Sequence, residues 1–412
     1  MKAVVFHGIG DIRLEDVSEP EIREPTDAIV RLTTSAICGT DLHMVRGTLS
    51  GMVPGTILGH EGVGIVEEVG RSVRNLRPGD RVVIPSTIGC GFCSYCRAGY
   101  YAQCDNANPN GKQAGTAFFG GPKMSGPFNG LQAEYARVPF ANVGLVKVPK
   151  ALSDHQAITI SDIFPTGYFG ADIAEIKPGD VVVVFGCGPV GLMAIVSARL
   201  FGAGRVIAVD QVADRLERAR RLGAEIVDFG SEDPIEAIRE MTGGIGADRA
   251  IDAVGIDAEM PKGGPVAEKL REFKKEFEQE VKQIAPEKSE KWLAGDAPSL
   301  ALSWAVRALA KAGTLSIIGV YPQMAKTFPI GEVMNKNITV QSGNCNHRKY
   351  IPTLLDIVES GIVDTSKFLT NSESFASVID AYKAFDERKP GWIKVELTGM
   401  EGAERLPEDL AA

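Results

Sequence analysis

Two short stretches of the chain carry side chains of the types that bind zinc. Cys38 and His60 offer a thiolate and an imidazole, and Glu61 adds a carboxylate beside His60. Because 22 positions separate Cys38 from His60, one helical face cannot hold both, and a folded sheet or loop must bring them together. A glycine on each side of the His-Glu pair favours backbone bent around a site over a packed core histidine. A zinc centre here needs a third ligand from elsewhere in the chain.

Four further cysteines form a second candidate zinc site. They follow the pattern Cys-x2-Cys-x2-Cys-x7-Cys and are Cys90, Cys93, Cys96 and Cys104. Two-residue spacers let successive thiolates converge on one ion, and four thiolates leave zinc no open position. The pattern therefore predicts a structural zinc that staples a glycine-rich loop, and the two ligand sets together predict two zinc ions per chain.

A third motif has the pattern of a dinucleotide-binding turn. A β-branched run, 181–185, predicts a strand buried in a parallel sheet, and a glycine-rich turn and a helix follow at once. The predicted cofactor contacts in this turn are Gly186, Gly188, Pro189, Val190 and Gly191. Asp210 ends the next strand, 19 positions after Gly191, where it can accept a hydrogen bond from a ribose 2′-hydroxyl. Since its carboxylate would repel a 2′-phosphate, we expect NAD rather than NADP.

The elements around these motifs predict an α/β chain of two domains. The first 150 residues alternate apolar and polar positions between glycines and prolines, which favours a mainly-β domain. From Asp180 onward, strands alternate with helices, as in a doubly wound parallel sheet. We expect one domain over 1–160 and 343–412 and a dinucleotide-binding domain over 161–342.

Residues 256–297 read as an insertion in the second domain. Six apolar residues recur there at helical spacing and predict one amphipathic helix of about six turns: Val266, Leu270, Phe273, Phe277, Val281 and Ile284. Three roles stay open at this point. The helix could pack on its own domain, cover the bound cofactor as a lid, or form a subunit contact.

Composition limits the partners and the compartment. The net charge of -9, without a basic stripe, argues against nucleic acid, and the apolar runs are too short to cross a bilayer. The first residues read as a strand without a signal-peptide pattern, so we expect a cytoplasmic protein whose seven cysteines stay reduced. We also expect a homodimer or homotetramer acting on a small molecule.

These motifs occur in the order seen in the zinc-dependent medium-chain alcohol dehydrogenases, which the chain resembles over nearly its whole length outside the insertion. The resemblance implies a GroES-like catalytic domain and a Rossmann coenzyme domain. It also implies a third zinc ligand in a segment ending in Thr-Gly-Tyr, where Asp162 stands in place of the usual cysteine. The aspartate and the insertion look most like the glutathione-independent formaldehyde dehydrogenase and dismutase branch, whose insertion shields bound NAD.

The resemblance also implies roles for single residues. Zinc held by Cys38, His60 and Asp162 would lower the pKa of an alcohol, from which hydride passes to NAD. Thr40 would take the alcohol proton and pass it through the ribose to His43, with Glu61 beside the metal as a transient ligand or a supporting residue. Thr166 and Arg215 are expected to contact the cofactor, and the turn at Asn346, His347 and Arg348 to lie near its pyrophosphate.

The implied activity is NAD-dependent oxidation of an alcohol or the reverse reduction of an aldehyde. A formaldehyde dehydrogenase or dismutase, and a polyol or amino-alcohol dehydrogenase, are alternatives within that class. A zinc-free reductase of carbon–carbon double bonds would lack Cys38, His60 and the cysteine loop. A non-enzymatic binding protein on the same fold would be expected to have lost Thr40 or a zinc ligand, and neither is lost.

Overall fold

A computed structural model describes residues 1–287, 289 and 292–400, which divide into two compact units. The first unit contains residues 1–45, 50–165 and, within the described part, 346–400. The second contains residues 46–49 and 166–345. Residues 401–412, assigned by sequence to the first domain, and residues 288, 290 and 291 of the insertion lie outside the described part.

Strands form a two-stranded and a seven-stranded sheet in the first unit and a six-stranded sheet in the second. In chain order they are β1 (Lys2–Gly8), β2 (Asp11–Asp16), β3 (Ala28–Ile37), β4 (Gly62–Val69), β5 (Arg81–Ile84), β6 (Tyr135–Val138), β7 (Val146–Lys147), β8 (Val181–Phe185), β9 (Arg205–Asp210), β10 (Glu225–Asp228), β11 (Ala247–Asp252), β12 (Leu309–Ile317), β13 (Thr339–Ser342), β14 (Asn371–Ser374) and β15 (Val395–Thr398).

Helices occur in both units. In chain order the α-helices are α1 (Gly39–Arg46), α2 (Ser94–Arg97), α3 (Ala141–Gly144), α4 (Asp154–Ser161), α5 (Ile163–Ile173), α6 (Pro189–Leu200), α7 (Ala213–Arg221), α8 (Pro234–Met241), α9 (Gly264–Leu270), α10 (Lys274–Ile284), α11 (Leu300–Ala308), α12 (Ile330–Lys336), α13 (His347–Glu359) and α14 (Val378–Asp386).

The first unit is built around β3, which is buried along almost its whole length. This strand pairs with β4, β6 and β15, all antiparallel, inside a seven-stranded sheet. In the β3–β4 pair, Ser35 lies opposite Gly62. The end of β3 therefore meets the start of β4, and the residues just beyond these two strand ends are brought to one place.

The second unit contains a six-stranded, all-parallel sheet in the order β10-β9-β8-β11-β12-β13. Strand β8 lies between β9 and β11, which is why its run of valines is buried. Along the chain, β9 and β10 are added on one side of β8, and β11, β12 and β13 are then added on its other side, as in doubly wound dinucleotide-binding folds. The predicted fold class is confirmed.

The prediction of one continuous helix in the insertion is wrong. Helices α9 and α10 are separated by a 3-10 turn over Arg271–Phe273. A 3-10 helix has three residues per turn, whereas an α-helix has 3.6, so the turn rotates the apolar face of α10 relative to that of α9. Phe273, at the end of this turn, is 40% exposed, whereas Leu270 before it and Phe277 after it are buried.

The buried face of the insertion packs on its own unit. Val266, Leu270 and Phe277 belong to the same apolar cluster as Trp304 of α11 and Ile238 of α8. Lys269 also reaches two carboxylates of that unit, Asp233 at 2.8 Å and Glu236 at 2.9 Å. Four of its six apolar side chains are thus covered within the unit, whereas Phe273 is exposed, and a subunit contact through the insertion stays a prediction. The lid role stays a prediction.

Within the described residues, no helix combines the length and the apolar composition that a bilayer-spanning segment requires.

Candidate metal and cofactor sites

The first unit holds a buried cluster of four donor side chains at the β3–β4 strand ends. Cys38 follows β3, His60 and Glu61 precede β4, and Asp162 lies between α4 and α5. Donor atoms of these four residues lie within 4.8 Å of one another. The turn before His60 requires glycine, because Gly59 has a φ of 89° and an added Cβ would lie 2.4 Å from Gln132. The structure thus brings together all the residues predicted to surround the catalytic zinc ion.

The spacing of the donor atoms fits zinc. Asp162 Oδ2 lies 3.6 Å from His60 Nε2 and 3.7 Å from Cys38 Sγ. Tetrahedral zinc bonds of ordinary length would separate such donors by about 3.4–3.6 Å. His60 Nε2 and Glu61 Oε2 are buried without a hydrogen-bond partner among the described residues. Since buried polar atoms are rarely left unpaired, the site is suited to a cation.

Asp41, to which the sequence assigns no separate role, orients the His60 ring. Its Oδ1 lies 3.1 Å from His60 Nδ1, and its Oδ2 accepts a hydrogen bond from the Cys38 backbone N–H at 2.9 Å. A carboxylate on Nδ1 fixes the ring so that Nε2 faces the other donor side chains. Gln132 donates to Asp41 Oδ2 at 3.4 Å, and the buried Tyr382 hydroxyl donates to Gln132 at 2.7 Å.

His347 is paired with Asp162. Its Nε2 lies 2.7 Å from Asp162 Oδ1, and its Nδ1 lies 3.0 Å from the Thr87 hydroxyl oxygen. Burial alone would raise the pKa of Asp162, but the hydrogen bond from His347 and the nearby His60 ring hold it well below its usual range. The turn was expected near the cofactor pyrophosphate, yet Asn346 accepts from the Ala102 N–H at 3.0 Å. Both side chains therefore have partners within the first unit.

Lys394 neutralises the second carboxylate of the cluster. Its ammonium group donates to Glu61 Oε1 and, at 3.1 Å, to the Ile37 carbonyl, and both ionic side chains are fully buried. Burial by itself would lower the pKa of Lys394, but the Glu61 charge outweighs it and the pKa is raised. The lysine therefore stays cationic and occupies one oxygen of Glu61. No local pattern in the sequence marks it, because 333 positions separate the pair.

Helix α1 carries the two residues of the predicted proton path. Thr40 is half-buried in its first turn, and His43 is buried three positions later. Side chains three positions apart lie on the same side of a helix. The helix follows directly on Cys38, so Thr40 stands next to the donor cluster along the chain. The transfer of a proton between them stays a prediction.

The four cysteines of the glycine-rich loop converge on a second position. Cys90 Sγ lies 4.0 Å from Cys96 Sγ, and Cys93 Sγ lies 3.9 Å from Cys104 Sγ. The edge of a tetrahedral zinc–thiolate site is about 3.8 Å. Backbone N–H groups of Cys90 and Asn106 point at Cys104 Sγ at 3.2 and 3.4 Å, which stabilises thiolate charge. The donor set fits a closed structural zinc site.

Replacing Cys96 by serine tests this second site. We expect the melting temperature to fall by about 5–10 °C, since a lost structural metal removes a few kcal/mol of folding free energy from a unit of this size. Turnover per folded molecule should change much less, because the site has no open position for substrate. Differential scanning calorimetry and metal analysis measure both effects. Cys345→Ser, at another buried thiol, should retain two zinc ions, and a Cys96 variant that also retains two would contradict the assignment.

The predicted dinucleotide turn of the second unit connects β8 to α6. Gly186 has a φ of 87°, and a Cβ on Gly191 would lie 1.8 Å from the Gly186 carbonyl oxygen, so both positions require glycine. A Cβ on Gly188 would meet only Arg215 Nη1, at 3.9 Å, which leaves the backbone open to a ligand. Pro189 begins α6, and the α6 N-terminus offers N–H groups to an anion. The turn fits a pyrophosphate, and Val190, in the first turn of α6, is half-buried there.

Asp210 ends β9 beside this turn. Its Oδ2 accepts from the Cys187 N–H at 2.7 Å, and its Oδ1 accepts from the N–H groups of Gln211 and Val212 at 2.7 and 2.9 Å. The carboxylate is therefore held in one orientation at the carboxyl end of the strand. Thr166 is half-buried on α5, next to Gly167, which packs closely on α6.

Asp210→Gly tests the cofactor prediction. Removing the carboxylate should raise the ratio of kcat/KM for NADP to that for NAD by about ten-fold or more, because each 1.4 kcal/mol of relieved repulsion is a factor of ten. Steady-state rates with both cofactors give the ratio. Asp210→Asn keeps an acceptor oxygen for the backbone N–H groups. This variant therefore distinguishes the loss of the charge from the loss of these hydrogen bonds. A wild-type preference for NADP would contradict the prediction.

A mainly-β unit with a buried zinc-type donor set and a parallel sheet with a glycine-rich turn define the class of zinc-type dehydrogenases. Residues 24–150 match the sequence profile of the alcohol dehydrogenase GroES-like domain, and residues 189–263 match that of the zinc-binding dehydrogenases. The chain is 39% identical over 401 residues to a zinc-type alcohol dehydrogenase-like protein of Bacillus subtilis, covering 96% of this chain and 100% of that protein. The chain belongs to the zinc-type alcohol dehydrogenase family, as its motifs predict.

Two further comparisons refine this placement. The solved structure of an alcohol dehydrogenase from Thermus sp. ATN1 superposes with a TM-score of 0.79 at 33% identity, covering 97% of this chain and 99% of that one. A glutathione-independent formaldehyde dehydrogenase of Pseudomonas aeruginosa is 39% identical over 268 residues, which are 62% of this chain and 66% of that protein. The predicted resemblance to that branch is thus supported over part of the chain.

Proposed function

We propose that this chain oxidises small alcohols, or reduces the corresponding aldehydes, with zinc and NAD. The observation that carries the proposal is the buried set of Cys38, His60 and Asp162 in a chain of the zinc-type alcohol dehydrogenase family. When bound there, zinc would act as a Lewis acid and lower the pKa of the alcohol hydroxyl. Three protein ligands in place of four leave a position for substrate, as catalytic zinc sites require.

The residues around this set have separate tasks in the proposed reaction. Asp41 fixes the His60 ring with Nε2 toward the metal, and Lys394 binds one oxygen of Glu61. Thr40 accepts the alcohol proton and passes it on toward His43. With thiolate and carboxylate charges on two ligands and Glu61 paired with Lys394, the centre is neutral when a divalent ion is bound, which favours a stable buried site.

The cofactor is held by the glycine-rich turn in this proposal. Backbone N–H groups at the start of α6 bind the pyrophosphate, and the opening above Gly188 admits it. Asp210 accepts from the ribose 2′-hydroxyl, while Arg215 and Thr166 are further contacts. In the turn that the resemblance places near the pyrophosphate, the buried Arg348 Nε has no hydrogen-bond partner among the described residues.

Formaldehyde is the second candidate substrate. Asp162 in the ligand set favours it by the resemblance described above, and so does the identity to the Pseudomonas aeruginosa formaldehyde dehydrogenase. A polyol or amino-alcohol substrate stays an alternative. A non-enzymatic role on the same fold is disfavoured, because Thr40 and all seven proposed zinc ligands are present.

A substrate screen tests the proposal. The zinc-loaded chain is assayed with NAD against primary, secondary, polyol and amino alcohols and, separately, with formaldehyde. We expect NADH formation with at least one alcohol, and production of both methanol and formate would identify dismutation. Metal analysis of the same sample should give two zinc ions per chain. A fully loaded chain without activity on any alcohol or aldehyde would favour the binding-protein alternative.

The proposal extends to assembly and compartment. Strand β13 is an edge strand of its sheet, and Val340 on this strand is 38% exposed. Two apolar residues of the preceding helix, Ile330 and Met334, are 58% and 72% exposed. A terminal strand with exposed apolar neighbours can pair with another copy, which supports a homodimer or homotetramer. Among the described residues, none of the seven cysteines is in a disulfide, which supports the reducing cytoplasm.

A further inference from the structure

The two carboxylate oxygens of Asp162 have different surroundings. Oδ2 faces the other zinc-type donors, 3.6 Å from His60 Nε2 and 3.7 Å from Cys38 Sγ. Oδ1 is turned away from them toward His347 Nε2, at 2.7 Å. One oxygen is therefore directed at the metal position, and the other is already hydrogen-bonded to a side chain outside the donor set.

His347 is itself held in one orientation. The ring is 3% exposed at the start of α13, and its Nδ1 lies 3.0 Å from the Thr87 hydroxyl oxygen. A neutral ring with its proton on Nε2 donates to Asp162 and accepts from Thr87, so both nitrogens are satisfied. Asn346, immediately before it, accepts from the Ala102 N–H and fixes the start of the helix. The His347 ring that donates to Asp162 is thus held in place by contacts among three chain segments.

We infer that His347 is a positioning residue that restricts Asp162 to one oxygen at the catalytic zinc ion and so keeps the substrate position open. A carboxylate, unlike the usual cysteine, can bind a metal through two oxygens. Binding through both would add a fifth ligand to the metal and crowd the position that the alcohol needs. A hydrogen bond to Oδ1 competes with the metal for that oxygen. The inference rests on the proposed function, in which Cys38, His60 and Asp162 hold the ion.

The test compares His347→Leu with His347→Gln, whose amide can still donate to Asp162. Cobalt replaces zinc in the Cys38–His60–Asp162 site, and zinc is retained in the cysteine loop. We expect the visible absorption of His347→Leu to change from a four-coordinate to a weaker five-coordinate spectrum. Its metal affinity at this site should fall about 10- to 100-fold, the range found when partners of metal ligands are removed. His347→Gln should retain most of both properties.

A second pair of variants, built on an Asp162→Cys chain, distinguishes a positioning role of His347 from a general effect on packing. In an Asp162→Cys chain the ligand has no second oxygen, so adding His347→Leu should leave the cobalt spectrum unchanged. The same loss in both backgrounds, or an unchanged spectrum in the single His347→Leu variant, would overturn the inference. If His347→Leu fails to fold, Thr87→Val provides the same test through the Nδ1 partner, with a smaller shift expected in the same direction.

The controls distinguish this inference from the proposed function. A wild-type chain that binds metal only in the cysteine loop would overturn both. Two bound metal ions in wild type, with a His347→Leu spectrum identical to it, would overturn the role of His347 and leave the proposed function intact.

Discussion

His60→Ala is expected to lower kcat/KM for alcohol oxidation by about a thousand-fold or more and to remove one of two zinc ions. A Lewis acid contributes several kcal/mol to the stabilisation of the transition state, and each 1.36 kcal/mol is a factor of ten in rate. The His60 ring is well placed for this effect, because Nε2 is buried without a hydrogen-bond partner among the described residues while Asp41 holds Nδ1. Metal analysis and steady-state kinetics measure the two losses together.

His155 provides the matched control for this substitution. Its side chain is 56% exposed, and its Nδ1 lies 2.7 Å from Glu396. His155→Ala should therefore keep two zinc ions and a rate within a few-fold of wild type. If His60→Ala also kept both ions and its rate fell less than ten-fold, the zinc centre proposed here would be wrong.

Lys394→Met is expected to lower the free energy of unfolding by about 3–5 kcal/mol, the usual cost of removing one partner of a buried ion pair. Lys394 and Glu61 are both fully buried, so the variant leaves a carboxylate in the core without its counter-ion. The full effect should appear in the metal-free chain, because a bound cation could compensate part of the charge. Denaturant unfolding of the metal-free and zinc-loaded forms measures it.

A double variant tests whether the unpaired charge causes the loss. Lys394→Met with Glu61→Gln removes both charges at similar volume and should regain most of the stability. Lys383→Met breaks an exposed pair with Asp380 and should have a much smaller effect. If the single Lys394 variant were as stable as wild type, the buried pair would contribute no net stability, and Glu61 would need another partner.

Patterns within a short stretch of sequence determined much of the site. The four cysteines span 15 positions, so their spacing alone indicates that the thiols can converge. The same holds for the glycine-rich turn, because strand, turn and helix follow one another within about 20 residues and each has a local signature. Asp162 had no such pattern and entered only through the family resemblance. The regular strand and helix periods likewise predicted the fold class.

Tertiary structure decided the partners of the metal-site residues. His347 and Asp162 are 185 positions apart, Lys394 and Glu61 333, and Tyr382 and Gln132 250. Such pairs leave no local pattern, because packing brings distant segments together and then determines which polar groups must satisfy each other. The break in the insertion has the same origin. Its apolar spacing fitted one continuous helix, whereas the structure packs the face on the core around Trp304 with a 3-10 turn between α9 and α10.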